Sequence, residues 1–361
     1  MITSLSPVVV AIPAKDEGEL LPSCLSALAR QTGIAPGGFE VVVSCNNCSD
    51  GSPDAMRSLA ADLPYRLHVE EVTLPPPIAH AGGARRHALD AAAERCDAGG
   101  VLLTTDADGI LDDNWVAATV AAFTGDIAAV AGRVSTDWDT LQHFPADVLD
   151  IGGREWEYQL LSAELEALSD PEPHDMWPRH NQTCGANAAI WHDWYHRIGG
   201  LPVIRTGEDG AMFNEVRRRD GKIRHDMVSH VTVSARLVGR AQGGMADALS
   251  ARHGDAYLCD DLLEPADDLE RRARWRHWAR IAHAQGRLAE WGRIFGVDRS
   301  IIEKAVSKSF FGESWLTIEA LDPALAKRRL TPASLDAELH RIRQLLASSR
   351  SNISAMRALR A

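Results

Sequence analysis

The sequence predicts an α/β fold: a doubly wound, mostly parallel sheet followed by a helical C-terminal extension. Three observations predict it. Short apolar runs alternate with Ala-rich segments of helical spacing through the first half, an order that lays helices on both faces of a parallel sheet. The runs are unbroken rather than alternating, as expected for strands covered on both sides. From Ala246 onward the apolar spacing is helical throughout.

Val8 to Ile12 is the first buried strand, and Leu20, Leu21, Cys24, Leu25 and Leu28 recur at helical spacing after it. Pro22 fits only in the first turn of that helix. Val41 to Val43 is a second strand and Arg66 to Thr73 a third. Ala81 to Cys96 reads as a helix, Val101 to Leu103 as a strand ending at Thr104-Thr105, Asn114 to Phe123 as a helix and Ile127 to Val134 as a strand. The pattern then weakens. Arg154 to Leu168 and Glu208 to Arg219 have helical spacing, Ile223 to Ser234 is strand-like, and Leu263 to Asp268, with Pro265 and its acids, reads as a linker.

Composition narrows the function. The chain has 361 residues, 45% hydrophobic and 24% charged, with a formal net charge of −12. That balance is globular, and its sign opposes sequence-independent binding to a nucleic-acid backbone. No apolar run is long enough to span a membrane: Val116 to Gly132 is interrupted by Asp126. No Lys or Arg precedes Lys15, so a signal peptide is not expected. Six cysteines make no disulfide scaffold, and Cys45 and Cys48 read as a chance pair at a strand end. The expectation is a cytoplasmic protein.

In such sheets ligands bind beyond the carboxyl ends of the strands. Asp106-Ala107-Asp108-Gly109 follows a strand directly. Two carboxylates at ~4 Å repel by ~4 kcal/mol at an effective dielectric of 20. A divalent cation removes that cost, and Mg²⁺ and Mn²⁺ favour oxygen ligands. The plainer reading is a solvated Asp turn. Glu208-Asp209 opens a helix, where acids usually cap; the functional alternative is a general base. Asn46 and Asn47 end the second strand and suit either a turn or the edge of a nucleobase. Gly82-Gly83-Ala84-Arg85-Arg86 opens a helix and suits either simple capping or a phosphate. His230, and less so His225, is placed to complete a metal shell, although a lone His is more often structural. Trp156, Trp177, Trp191 and Trp194 suit sugar stacking or a core equally.

Together these segments resemble the family 2 glycosyltransferases of GT-A fold. Val9 to Glu17 is similar to the first strand and nucleotide loop, with Asp16 where the family usually has Asn. Asn46 to Ser52 resembles the second-strand motif, Ala84-Arg85-Arg86 the Ala-Arg-Asn segment, and Asp106-Ala107-Asp108, followed by Trp115, the metal-binding DxD. Cys184 to Ala189 is similar to the Gly-x-Asn segment, and Gly199-Gly200 with Gly207-Glu208-Asp209 to the elements before the catalytic-base helix. No QxxRW motif follows; Arg236-Leu237-Val238-Gly239-Arg240 stands near its place. The resemblance spans about residues 6 to 245.

The resemblance implies a GT-A domain over residues 1–245, with a nucleotide-sugar-binding half (1–135) and an acceptor half (136–245), then a helical extension over 246–361. It implies transfer from a UDP- or GDP-linked sugar to the hydroxyl of a sugar, lipid-linked or small-molecule acceptor, with inversion and with Mn²⁺ or Mg²⁺. Asp209 is the expected catalytic base. Pro13, Ala14, Glu17, Asn46, Arg85 and Asp106 are expected at the nucleotide sugar, Asn187 and Glu208 at the acceptor, and Asp106, Asp108 and His230 on the metal. A retaining transferase, a nucleotidyltransferase and a catalytically silent scaffold are the alternatives. The basic, aromatic stretch Arg271 to Arg280 suits peripheral contact with the inner face of a membrane, against the plainer reading of a helix packed through Trp275 and Trp278.

Overall fold

Eight strands, β1 (Val8–Ala14), β2 (Glu40–Asn46), β3 (Arg66–Val72), β4 (Val101–Thr104), β5 (Ile110–Leu111), β6 (Ile127–Thr136), β7 (Ala188–Trp191) and β8 (Lys222–Val233), form one sheet in the order β3-β2-β1-β4-β7-β6-β8-β5. The computed structural model describes residues 7–142, 144–239, 243–252 and 259–358; Arg240, noted above, lies outside them. The chain divides into two compact units. The first comprises Met1–His143, Gln182–Val216 and Gly221–Ala251, and the second Phe144–Asn181, Arg217–Asp220 and Arg252–Ala361.

The first unit holds the whole sheet. β1 pairs in parallel with β2 and β4, β2 with β3, and β6 with β8. β7 runs antiparallel to both β4 and β6, and β5 antiparallel to β8. The alternation of side chains along a strand divides β1 between two apolar layers. Val10 and Ile12 join Leu21, Leu25 and Leu28 on one face, and Val9 and Ala11 join Ala88, Leu89 and Phe213 on the other. The nine-residue helix Leu21–Ala29 is too short to persist alone. Its three buried leucines, each worth about 1.5–3 kcal/mol, hold it to the sheet, and Pro22 sits in its first turn.

The reversed strand positions the site. Thr104 at the end of β4 is in register with Ala188 at the start of β7, so the Cys184–Asn187 approach to β7 lies beside the segment that leaves β4.

The second unit is helical. Ala146–Ser169, Ala266–Ala284 and Leu335–Ala358 are its long helices, with Tyr158, Leu165, Leu269, Ile342 and Leu346 in a shared core. The helix expected over 154–168 begins eight residues earlier, and residues 144–181 group with the C-terminal helices. The expected acceptor half, 136–245, is therefore divided between the units. The expected linker at 263–268 is core: Leu263 and Ala266 are buried, and the Tyr158 hydroxyl donates to the Glu264 carbonyl at 2.8 Å.

The basic stretch is largely neutralised within this unit. Arg272 pairs with Glu264 and Glu319, Arg276 and Arg280 pair with Asp170, and Arg271 pairs with Asp268. Trp275 packs edge-on against Trp291 and Phe295, while Trp278 is half exposed. Among the described residues no helix is long and apolar enough to cross a membrane.

Asp170 is the acid at the centre of that pairing. Burial pushes its carboxyl up, but the Arg276 and Arg280 charges outweigh burial and hold it below the usual carboxylate range. A folded value below the unfolded one stabilises above the unfolded value of ~3.9 and is lost as pH falls through the folded one. Asp170→Asn is expected to lose about 3 kcal/mol at pH 7, the order seen when one partner of a buried pair is removed. The gap to wild type should close as pH descends below the ordinary Asp value. Urea midpoints across that series check it; a gap independent of pH rules the pairing out as the cause.

Candidate active site

Asp106 and Asp108 leave the carboxyl end of β4 in a turn closed by the Gly109 amide donating to the Asp106 carbonyl at 3.0 Å. Asp108 is the more enclosed, and its carboxyl is pushed up to about 6, first by burial, then by the charges of Asp106 and Glu17, with Arg236 opposing.

Arg85, from the helix Ala81–Ala93, connects three parts of the site. Its Nη2 donates to Asp106 Oδ1 at 2.6 Å, its Nε to Glu208 Oε1 at 3.1 Å, and its Nη1 to Thr104 Oγ1 and the Gly185 carbonyl at 3.1 and 3.0 Å. Gly185 is needed for that fit, because a Cβ there would stand 2.5 Å from Arg85 Cζ.

Asp209 enters through Gly185 as well. The Gly185 amide donates to Asp209 Oδ2 at 2.7 Å, and the Gly210 amide to Oδ1 at 2.7 Å. Burial pushes the Cys184 thiol up to about 12, and the charges of Asp209 and Asp106 add to the shift. Arg85 likewise feels Asp106, Glu208 and Asp209.

On the other side, Glu17 lies just past β1 and is buried. Arg236 donates to both its oxygens, Nη2 to Oε1 at 2.6 Å and Nη1 to Oε2 at 3.0 Å, and Nη2 lies 3.5 Å from Asp108 Oδ2. Sequence reading met Arg236 only as a departure from QxxRW. Its signal was a cation just past a late strand in a chain with acids at the ends of two earlier ones.

The other expected residues have partners within the protein. Asn187, expected at the acceptor, is fully buried. Its Oδ1 accepts from Trp115 Nε1 and Ser229 Oγ, and its Nδ2 donates to the Arg133 and Ser229 carbonyls, which uses its four hydrogen bonds inside the protein. Arg85, expected at the nucleotide, is buried with its donors on protein acceptors. Glu208, also expected at the acceptor, is buried and bonded to Arg85. His230, expected on the metal, has Nδ1 3.1 Å from Asp112 Oδ1 and Nε2 2.8 Å from Ser135 Oγ, so both ring nitrogens have partners other than Asp106 and Asp108. The Gly82 segment is a packing device: a Cβ on Gly82 would lie 1.9 Å from the Ile204 carbonyl oxygen, and His80 caps the helix through the Gly83 amide.

Pro13 is half-buried in β1, and Ala14 is buried at its end. The Ala14 carbonyl accepts from Asn46 Nδ2 at 2.8 Å and from Cys48 Sγ at 3.7 Å, tying the ends of β1 and β2 together. The cysteines are free. Trp191 and Trp194 are framework: Trp191 donates to the Ile127 carbonyl and packs on Phe123, and Trp194 carries Arg197 at 4.5 Å.

For a metal ion, carboxylate oxygens suit Mn²⁺ or Mg²⁺, ions that commonly bind one or two carboxylates and complete their shell with substrate phosphate and water. Asp106 and Asp108 offer such a pair, both just past the end of β4. Among the described residues the one cluster of three metal-type side chains is elsewhere, at Asp16, Cys48 and Asp50. There, Asp16 Oδ1 accepts from the Ser49 amide and Asp50 from the Gly18 and Ser52 amides.

Comparison with known proteins finds a family resemblance over part of the chain. Residues 9–178 match the model described as "Glycosyl transferase family 2"; Asp106 and Asp108 lie inside that segment and Asp209 beyond it. No curated protein matches the chain. Among solved structures, the chain is similar to the mannosyltransferase PcManGT from Pyrobaculum calidifontis, in complex with GDP-Man and Mn²⁺, at 15% identity, covering 87% of this chain and 86% of that one with a TM-score of 0.47. It is similar to S. aureus TarS 1–349 in complex with UDP at 12% identity, covering 96% and 92%, with a TM-score of 0.47. For M. tuberculosis glucosyl-3-phosphoglycerate synthase the identity is 17%, the coverage 69% and 77%, and the TM-score 0.39.

Proposed function

We propose how this chain, a glycosyltransferase through its family 2 segment, carries out its reaction: it moves a sugar from a nucleoside-diphosphate sugar to an acceptor hydroxyl with inversion, with Mn²⁺ or Mg²⁺ held by Asp106 and Asp108. The observation that carries the proposal is one junction. Arg85 and Gly185 tie the β4 acids to the Glu208-Asp209 pair, which brings the proposed leaving-group side next to the proposed base.

Asp209 is the proposed base. Two backbone amides hold its carboxylate in one orientation, and the acceptor hydroxyl passes its proton to it. The acceptor oxygen then bonds to the anomeric carbon as the bond to the diphosphate breaks on the opposite face. The products are an inverted glycoside and a nucleoside diphosphate. The cation, when bound, supplies positive charge for the leaving diphosphate. Glu208 and Arg85 act as positioning residues, because their charges are spent on each other and on Asp106. Pro13, Ala14 and Asn46 shape the floor on which the nucleoside lies, at the joined ends of β1 and β2.

The test is a calorimetric titration with UDP, GDP and their sugars, with and without Mn²⁺. Expected is Mn²⁺-dependent binding of one nucleotide series, lost in Asp108→Ala. No binding across the panel by folded protein overturns the donor site. Release of pyrophosphate in place of nucleoside diphosphate overturns the reaction class.

A further inference from the structure

Two arginines face the acids at the ends of β1 and β4, and they are held differently. Arg85 is rooted in a helix; its side chain is 8% exposed and divided among carboxylates, a hydroxyl and a carbonyl. Arg236 lies past the end of β8 in a segment without regular structure, and its side chain is 26% exposed. Its guanidinium bonds to acids that arrive from two other strands, Glu17 by both oxygens and Asp108 by one. A single terminal nitrogen, Nη2, contacts both carboxylates.

We infer that Arg236 is a tethered cation that competes with the divalent metal ion at Asp108 and Glu17, and that metal uptake displaces its guanidinium. The inference rests on the reading of Asp106 and Asp108 as metal ligands. Its physical basis is that two cations at one carboxylate repel, and that the arginine on an irregular segment yields more readily than one locked in a helix and buried. The same contact explains how Glu17 tolerates burial without the metal: a buried carboxylate needs a partner, and Arg236 provides one.

This role predicts an effect opposite in sign to that of a structural one. If Arg236 merely braced the site, removing it would loosen the ligands and weaken metal binding. If it competes, removal strengthens binding. Mn²⁺ alone is titrated into wild type, Arg236→Gln, Arg236→Ala and Arg236→Lys, by calorimetry and by the loss of the free-ion electron paramagnetic resonance signal. Gln and Ala are expected to bind Mn²⁺ about tenfold tighter than wild type, the scale of one charge-assisted hydrogen bond, and Lys to stay near wild type. Mn²⁺ should also raise the melting temperature of Arg236→Gln more than that of wild type, because the unpaired Glu17 regains a cation. Equal or weaker Mn²⁺ affinity in both neutral variants overturns the inference. If wild type binds Mn²⁺ and Asp108→Ala does not, the metal reading stands even then. If neither wild type nor the folded neutral variants take up Mn²⁺, both fall.

Discussion

Asp209→Asn is expected to lower turnover by about 10²–10⁴-fold, the usual range for a general base, while Mn²⁺-dependent nucleotide binding stays close to wild type. The substitution removes the proton acceptor and almost nothing of the shape. It is not silent for the fold, since both carboxylate oxygens accept backbone amides, from Gly185 and from Gly210. An asparagine has one oxygen to offer, so its NH₂ must face one of those N–H donors, at a local cost of about 1–3 kcal/mol. A modest drop in melting temperature should therefore accompany the loss of rate. Nucleoside diphosphate release measures the rate, and calorimetry the binding. Wild-type turnover in the variant sinks the assignment of the base. The anomeric configuration of the product, read by NMR, tests inversion separately.

Arg85→Met is expected to have the largest effect on stability, about 3–5 kcal/mol, because it leaves the buried Glu208 carboxylate and its neighbours without their cation. Four acceptors converge on one guanidinium: Asp106, Glu208, Thr104 Oγ1 and the Gly185 carbonyl. Lysine carries the charge but not the planar fork, so Arg85→Lys should recover only a small part of the loss. Combining Arg85→Met with Glu208→Gln should cost much less than the sum of the two, as expected for residues in direct contact. Urea midpoints of the four proteins check this. A loss under about 1 kcal/mol for Arg85→Met, within the range of a solvated surface pair, overturns the view of Arg85 as the junction of the site.

Much of the sheet was legible along the chain. The unbroken apolar runs at Val8 to Ile12, Val41 to Val43 and Val101 to Leu103 are strands buried on both faces, and the helices after the first and third begin within a residue or two of the expected starts, whereas the helix Ser52–Leu59 after the second was not expected. What was missed has a local reason. β7 is only Ala-Ala-Ile-Trp, too short and too rich in alanine to announce a strand; its register with β4 and β6 makes it one. Gly152 and Gly153 hid the first turns of the helix Ala146–Ser169, since glycine argues against a helix interior and tertiary packing overrode it. Pro265 looked like a linker because proline often marks one, whereas here it stands immediately before a helix, where proline is tolerated.

By itself the sequence determined the alternation of strands and helices, and the position of Asp106 and Asp108 just beyond a strand and of Asp209 at the start of a helix. These features depend on neighbours within a few residues, through side-chain periodicity and capping. Only the tertiary structure decided which polar residues converge beyond the strand ends and which are buried on partners inside the protein. Arg85 meets Glu208 across 123 positions, Asn187 meets Trp115 across 72 and Arg236 meets Glu17 across 219. A buried polar group must find its full set of hydrogen bonds, and at such separations its partners are set by the sheet, through β7 reversed between β4 and β6. Composition and spacing show that an arginine or an asparagine is present at a motif; its function depends on how much of its hydrogen-bonding capacity the fold leaves open.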